Sequence, residues 1–373
     1  MLFTNAKIFL ADKGFVKGGF RIEGDRFAQV FTDERSGGKD LGGALVLPGL
    51  VDIHIHGAAG ADFSDGEMDG LVKMASYLAK NGVTSFAPTS MTLPYDVLAA
   101  AFKTAVNLGK NRPKQCARPM GIHMEGPFLS EKKKGAQNAD YLKLPDFDAF
   151  LSLYKQSEGL LRITDVAPEL EGALSFTKNA KDYCKISVAH TDADYEQALA
   201  IYLCGASHLT HLFNAMTPIH HRKPGVIGAA CENENVTAEL ICDGIHVHPS
   251  SVRMAFKLFP GRICLISDAL RCCGMPDGEY ELGGLSVYLS DNVARLGDGT
   301  IAGAASNLFR NLKNAVKFGV PINEAILSST YNPAKALGCE KEIGAIKEGL
   351  FADFLICDDS LNLKEVWLGG VKL

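Results

Sequence analysis

Between about residues 48 and 338 the chain repeats one pattern, a short apolar run followed by a longer amphipathic stretch. The apolar runs fall at 50–55, 83–88, 119–123, 163–167, 186–189, 207–210, 238–241 and 263–266. Helical periodicity marks 68–79, 194–204 and 308–317 between or after them. Parallel strands need a crossover long enough to hold a helix, so this alternation predicts βα units and a parallel sheet. Eight of them predict an α/β chain built on a (β/α)8 TIM-like barrel. An open doubly wound sheet is the competitor, but no Gly-x-Gly-x-x-Gly opens the first unit.

The two ends read differently. Residues 6–10, 19–23 and 27–30 are short strand-like runs broken by glycine-rich turns, and the texture returns at 344–349, 352–356 and 366–368. Neither end buries enough surface alone, so the ends are expected to pair into a small discontinuous β-sandwich domain. The predicted division is 1–47 plus 339–373 for the sandwich and 48–338 for the barrel.

Composition narrows the function classes. With 47% hydrophobic and 22% charged residues over 373 positions, the chain can bury a large core. Its formal charge of −5, and a longest basic run of only Lys132-Lys133-Lys134, argue against a nucleic-acid partner. That run reads as a solvated loop. The 10 cysteines are scattered, several within apolar runs, which fits buried thiols in a reducing cytoplasm. No signal peptide or membrane-length apolar run is read, so no membrane association is expected.

The informative residues are the polar ones that end the strands. The first run ends in His54-Ile55-His56, the third in His123-Met124-Glu125, the fifth in His190, the sixth in His211, the seventh in Asp243 and His246, and the eighth in Asp268. In a barrel the C-terminal strand ends meet at one mouth, so these side chains are expected to share a site. His54 and His56, two apart on a strand, face the same way and can reach one cation. A carboxylate at Glu125 is costly to bury unless it is paired or metal-bound. Imidazole and carboxylate donors without thiolates suit Zn²⁺ first, and also Fe²⁺, Mn²⁺ or Co²⁺. Asp268 is placed to take a proton from an activated water and pass it to a leaving nitrogen.

These residues lie in longer motifs: Pro48-Gly49-Leu50-Val51-Asp52-Ile53-His54-Ile55-His56-Gly57, His123-Met124-Glu125-Gly126-Pro127, Thr210-His211-Leu212-Phe213-Asn214-Ala215-Met216 and Ser267-Asp268-Ala269. In them the chain resembles the amidohydrolase superfamily, and within it the N-acetylglucosamine-6-phosphate deacetylase group. The resemblance implies that Glu125, His190 and His211 hold a principal metal ion. His54 and His56 would complete a second site with Glu125 bridging, giving one or two ions. It implies that metal-activated water cleaves the acetamide of N-acetylglucosamine 6-phosphate, with Asp268 as general base and acid and His246 beside the acyl oxygen. Backbone N–H groups of Asn214 and Ala215 would meet the sugar phosphate. Arg222 would reach it from the other subunit of a homodimer, its planar fork suiting phosphate oxygens. His220 and His221 would add charge beside it or cap the loop. Gln137 stands where some members carry a substrate-contacting histidine. The alternatives are the N-acetylgalactosamine 6-phosphate epimer or another N-acyl substrate and, outside enzymes, a catalytically silent sugar-phosphate sensor. Such a sensor would be expected to lose Asp268 or a ligand, and none is missing.

Overall fold

The computed structural model describes residues 1–373. Eight parallel strands form the barrel wall: Leu50–Ile55, Val83–Ser90, Ile122–Met124, Leu161–Val166, Lys185–Val188, His208–Leu209, Thr237–Ile241 and Ile263–Ile266. They pair in chain order, each with its sequence neighbour. No ladder joins the last strand to the first. The seam is held by individual hydrogen bonds: the Asp268 N–H donates to the His54 carbonyl (3.0 Å), the His56 N–H to the Ala269 carbonyl (3.0 Å) and the Ser267 N–H to Asp52 Oδ1 (3.2 Å). The barrel is thus nearly closed, and its seam lies beside the residues that end its first and eighth strands.

All eight expected strands are present, the first and eighth at their expected bounds and the other six with shifted edges. The third is expected at 119–123 and found at Ile122–Met124, because Arg118–Pro119 instead forms a separate short pairing with the second strand. The helix expected at 308–317 is observed as Leu308–Lys317, capped by the Asn307 side chain accepting the Arg310 N–H. The helix expected to begin at 194 begins at Tyr195, since Asp194 is its N-cap within a capping box with Gln197.

Strands from both chain ends form one separate sheet. Its main path runs Val371–Lys372, Leu363–Leu368, Phe354–Cys357, Leu45–Pro48, Leu2–Leu10, Gly14–Glu23 and Arg26–Phe31. Phe27 and Phe354 lie four strands apart along that path, a flat separation of about 19 Å. Their ring centroids are 6.1 Å apart. The path therefore folds over on itself, enclosing Phe3, Phe20, Phe27, Phe354 and Trp367 in the manner of a sandwich. Its opposite face, through Phe9, Leu47 and Leu355, joins the barrel's apolar core. The expected strand texture at 344–349 is absent: Gly344 and Gly349 both have φ near 87° (87° and 86°), and the segment is a turn that buries Ile346.

A feature the sequence reading missed follows the eighth strand. Strands Gly278–Leu282, Leu285–Ser290, Val293–Leu296 and Ile301–Ala304 form an antiparallel meander. Its signals were present in the alternation of apolar and polar residues and in the Gly283-Gly284, Asp291-Asn292 and Gly297-Asp298-Gly299 turns. The meander packs Leu282, Val287 and Ala302 on Met91 and Leu270, and overhangs the barrel mouth.

Candidate metal centre

The strand ends converge as expected. Glu125 Oε1 lies 3.0 Å from both His190 Nε2 and His211 Nε2, and those nitrogens are 3.1 Å apart. Glu125 Oε2 lies 3.2 Å from His56 Nε2, and His54 Nε2 and His56 Nε2 are 3.2 Å apart. Asp268 Oδ1 completes the second group at 3.3 Å from His56 and 3.5 Å from His54. All six side chains are buried.

Hydrogen bonds on the far side of three of the four rings, all but His211, decide what these nitrogens can do. His56 Nδ1 lies 3.1 Å from the Thr89 carbonyl and His190 Nδ1 2.7 Å from the Lys133 carbonyl. His54 Nδ1 lies 2.8 Å from Glu239 Oε2. A carbonyl oxygen only accepts, so His56 and His190 carry their protons on Nδ1, and the carboxylate beside His54 favours the same tautomer. Their Nε2 lone pairs then face one another and the Glu125 and Asp268 oxygens across about 3 Å. Such a set of acceptors repels itself unless positive charge sits between them, and a divalent cation supplies it. The donor set fits the group: two clusters, Glu125/His190/His211 and His54/His56/Asp268, each offer converging ligand atoms.

The electrostatics show how strongly the site attracts positive charge. Burial alone would depress His211, but the Glu125 hydrogen bond and charge carry it up to about 9. Burial is likewise outweighed at His56, which Asp268 and Glu125 push well above its ordinary value. Burial would raise Glu125 and Asp268, yet the imidazoles, His54 foremost, hold both carboxyls below their usual range. Three of these residues also sit at positive φ: His190 at 41°, His211 at 29° and Asp268 at 49°. Left-handed backbone at non-glycine residues costs about 1–3 kcal/mol each, and here it turns the side chains just past the strand ends into the mouth.

Above the cluster is a cavity of about 370 Å³. His56, Glu125, His190, His211, His246 and Asp268 line its floor, and Leu282 and the 300–303 segment of the meander form one wall. His246 Nδ1 is 2.7 Å from Asp243 Oδ2; burial opposes its charge, but that contact raises its pKa and leaves Nε2 for the cavity. Asn214 and Ala215 line the cavity too. The Asn214 N–H is already given to the His211 carbonyl (2.9 Å), a turn bond that takes it away from any ligand. The Ala215 N–H has no protein acceptor. Gln137 is buried and bonds both ways, its Nε2 donating to Glu125 Oε2 (2.6 Å) and its Oε1 accepting the Thr92 N–H (2.8 Å).

The Lys132–Lys134 run is solvent-facing as expected, with the Lys132 side chain 78% exposed, and it also borders the mouth: Lys132 and Lys133 line the cavity, and the Lys133 carbonyl orients His190. Arg222, expected to act at the site of a second copy, does not line the cavity of its own chain. It is exposed beside His220 and His221, bordering a neighbouring cleft of about 600 Å³ with Asp194, Glu196 and Lys223.

Beneath the cluster lies a second polar layer. His123 Nε2 is 2.9 Å from Asp165 Oδ1, which also accepts from Thr210 Oγ1 (2.9 Å), and His208 Nε2 is 3.1 Å from Glu239 Oε1. Glu239, Asp165 and His208 were not singled out from the sequence, because none of them closes its strand: Glu239 and Asp165 sit inside theirs and His208 opens its own. The available signal was a charged residue amid apolar neighbours, Ala238-Glu239-Leu240.

A nearly closed parallel barrel carrying converging imidazoles and carboxylates beneath a cavity defines a hydrolase-type metal barrel. Comparison with known proteins narrows this. Residues 45–373 match the Amidohydrolase family. An N-acetylglucosamine-6-phosphate deacetylase from Vibrio furnissii is 34% identical over 88% of this chain and 83% of its own length. An N-acetylgalactosamine-6-phosphate deacetylase from Escherichia coli O157:H7 is 34% identical over 87% of each. A solved mutant N-acetyl-D-glucosamine-6-phosphate deacetylase from Mycobacterium smegmatis, in complex with N-acetyl-D-glucosamine-6-phosphate, superposes with a TM-score of 0.94 at 31% identity, covering 100% of this chain and 98% of that one. The chain belongs to the amidohydrolase family.

Proposed function

We propose that this chain hydrolyses the acetamide of N-acetylglucosamine 6-phosphate to glucosamine 6-phosphate and acetate. The observation that carries the reading is the set of Nε2 lone pairs and carboxylate oxygens converging on the cavity floor, in a chain whose relatives are deacetylases. Glu125, His190 and His211 would hold one divalent ion, Zn²⁺ by the chemistry of the donors, and His54 and His56 with Glu125 a second. A cation so held acidifies water near neutral pH and polarises an acyl oxygen.

This chain's own residues supply the rest. Asp268, held as a carboxylate on the floor, takes the proton of the attacking water and returns it to the departing amine. His246, braced by Asp243, donates to the developing oxyanion. The Ala215 N–H and the Asn214 edge meet the sugar phosphate, with Lys132 and Lys133 across the mouth. Gln137, fixed between Glu125 and Thr92, borders the sugar ring. Arg222, exposed and outside its own chain's cavity, would serve the site of a second copy in a homodimer. The barrel lobe 48–338 carries the chemistry, and 1–47 plus 339–373 brace it. No helix is long and apolar enough to cross a membrane, and the 10 unpaired cysteines suit the cytoplasm.

Acetate release from both epimers, measured with elemental analysis of the purified protein, tests this. Turnover of the glucosamine epimer with bound divalent metal supports the reading, and a metal-loaded protein that releases no acetate refutes it. Preferential turnover of the galactosamine epimer would favour the second reading, for which the 34% identical Escherichia coli relative speaks.

A further inference from the structure

Glu239 is fully buried within the seventh barrel strand and takes no part in the chemistry above. Its Oε2 lies 2.8 Å from His54 Nδ1 and accepts the main-chain N–H of His211 at 3.2 Å. Its Oε1 lies 3.1 Å from His208 Nε2. Its own carbonyl accepts the Leu212 N–H at 2.9 Å. One residue therefore grips the ring of His54, in one half of the cluster, and the peptide of His211, in the other.

Both grips have consequences. An oxygen that accepts the His211 N–H is placed to accept the His54 Nδ1–H as well, which keeps the His54 lone pair on Nε2, facing the centre. His211 sits at φ 29°, a strained conformation that persists only where its surroundings hold it. Glu239 holds it from two consecutive N–H groups, those of His211 and Leu212.

His54, His123 and Glu239 also lie close enough to suggest a third cation group. His123 rules itself out as a ligand. Its Nδ1 faces the Ile53 carbonyl at 3.2 Å, so that nitrogen carries a proton, and its Nε2 is taken by Asp165 at 2.9 Å. The lower layer is a scaffold of hydrogen bonds.

We propose that Glu239 is the positioning residue of the metal centre, fixing the tautomer of His54 and the main chain of His211 so that the ligand atoms of both groups converge on divalent metal. The proposal rests on the reading of the upper cluster as a metal centre. The test titrates wild type, Glu239→Ala and Glu239→Gln with Zn²⁺ against a competing chelator, alongside kcat at rising metal concentration and melting of the chelator-stripped proteins. Loss of an outer hydrogen-bond partner typically costs about 10–100-fold in metal affinity, and that is expected for Glu239→Ala. Its kcat should recover on adding metal, a rescue that a merely structural defect would not show. Glu239→Gln keeps an acceptor oxygen for His54 and is expected to lose less, and it decides the matter alone if the alanine variant does not fold. Wild-type affinity and stoichiometry in Glu239→Gln, together with either the same in Glu239→Ala or its failure to fold, would overturn the proposal. A wild-type chain that binds no divalent ion would instead overturn the metal-centre reading on which it stands.

Discussion

Two buried layers of histidines and carboxylates are stacked in this barrel, built from the same residue types yet opposed in logic. In the lower layer every ring nitrogen of His123 and His208 has a partner: His123 meets Asp165 and the Ile53 carbonyl, and His208 meets the Glu239 carboxylate and the Thr237 hydroxyl. In the upper layer the Nδ1 atoms of His54, His56 and His190 are satisfied from outside, while the Nε2 atoms are turned on one another and on Glu125 and Asp268. Burial does not separate a scaffold from a site here. What does is where the imidazole lone pairs are left, for rings whose nitrogens are all partnered need nothing further and a set turned on itself selects for a cation.

The sharpest way to break this contrast is to change one carboxylate in each layer. Asp268→Asn should remove general acid–base catalysis and lower kcat by about 10²–10⁴-fold while metal content stays at the wild-type level. Full turnover in that variant would remove Asp268 from the mechanism. Asp165→Ala should do the reverse. It strands the His123 ring and the Thr210 hydroxyl in a fully buried place, and breaking such a pair costs about 3–5 kcal/mol. Denaturant unfolding should show that loss, with metal bound per folded chain unchanged. If Asp165→Ala instead stripped the metal and kept its stability, the two layers would be one functional unit.

How much of this was legible in the sequence follows the same division. The upper layer could be read because its residues interrupt the pattern where strands end: His54-Ile55-His56, His190, His211 and Asp268 each close an apolar run, and eight runs imply one mouth. Glu239 and Asp165 lie inside strands, where a single charge reads as a solvent-facing position, so only the three-dimensional pairing shows their partners. The meander was missed for another reason. Attention to βα rhythm treats whatever follows the eighth strand as a connection, although its Gly-Gly and Asp-Asn turns announce hairpins. The folded-over sheet was half legible. Pairing of the two ends follows from their length, but no local pattern reveals that Phe27 and Phe354 touch. Arg222 shows a different limit, since a residue expected to act on a second copy has no local signature beyond its charge.

The meander bears on the contrast because it roofs only the upper layer. Gly303 lies where a Cβ would come 2.5 Å from the Asp268 carbonyl oxygen and 3.2 Å from its Oδ1. The neighbouring Ala304 N–H donates to that same carbonyl at 2.6 Å, so the wall cannot retreat without moving Asp268. Gly303→Ala should therefore displace the carboxylate and lower kcat by on the order of 10²-fold, as small misplacements of a reacting group do. Lower-layer stability should change far less, and the comparison is made by measuring kcat and the denaturation midpoint on one preparation. An unaltered kcat would mean that the roof is loosely coupled to the floor.

The smallest effect is expected where ionic contacts meet water. Glu365 on the end sheet contacts Lys39 at 2.9 Å and Lys372 at 2.8 Å, and its carboxylate also accepts from Trp367 Nε1 at 2.9 Å. Burial is the largest single influence and raises its pKa, but the hydrogen bonds to Lys372, Lys39 and Trp367 together outweigh it and bring the value down to about 2 from a usual 4.5. A carboxyl lowered on folding stabilises the fold above its unfolded value, and that stabilisation fades as pH falls from about 4.5 toward about 2. Glu365→Gln should thus flatten the acid limb of stability in that window and cost no more than about 1 kcal/mol near neutrality, because exposed partners are screened. Activity and metal content should not respond. Added salt should weaken this contribution in the wild type while leaving the lower barrel layer untouched, since screening acts on pairs that water reaches. A salt response of equal size in Asp165→Ala and its parent would confirm that distinction, whereas a difference that vanished at high salt would place the lower layer in contact with solvent.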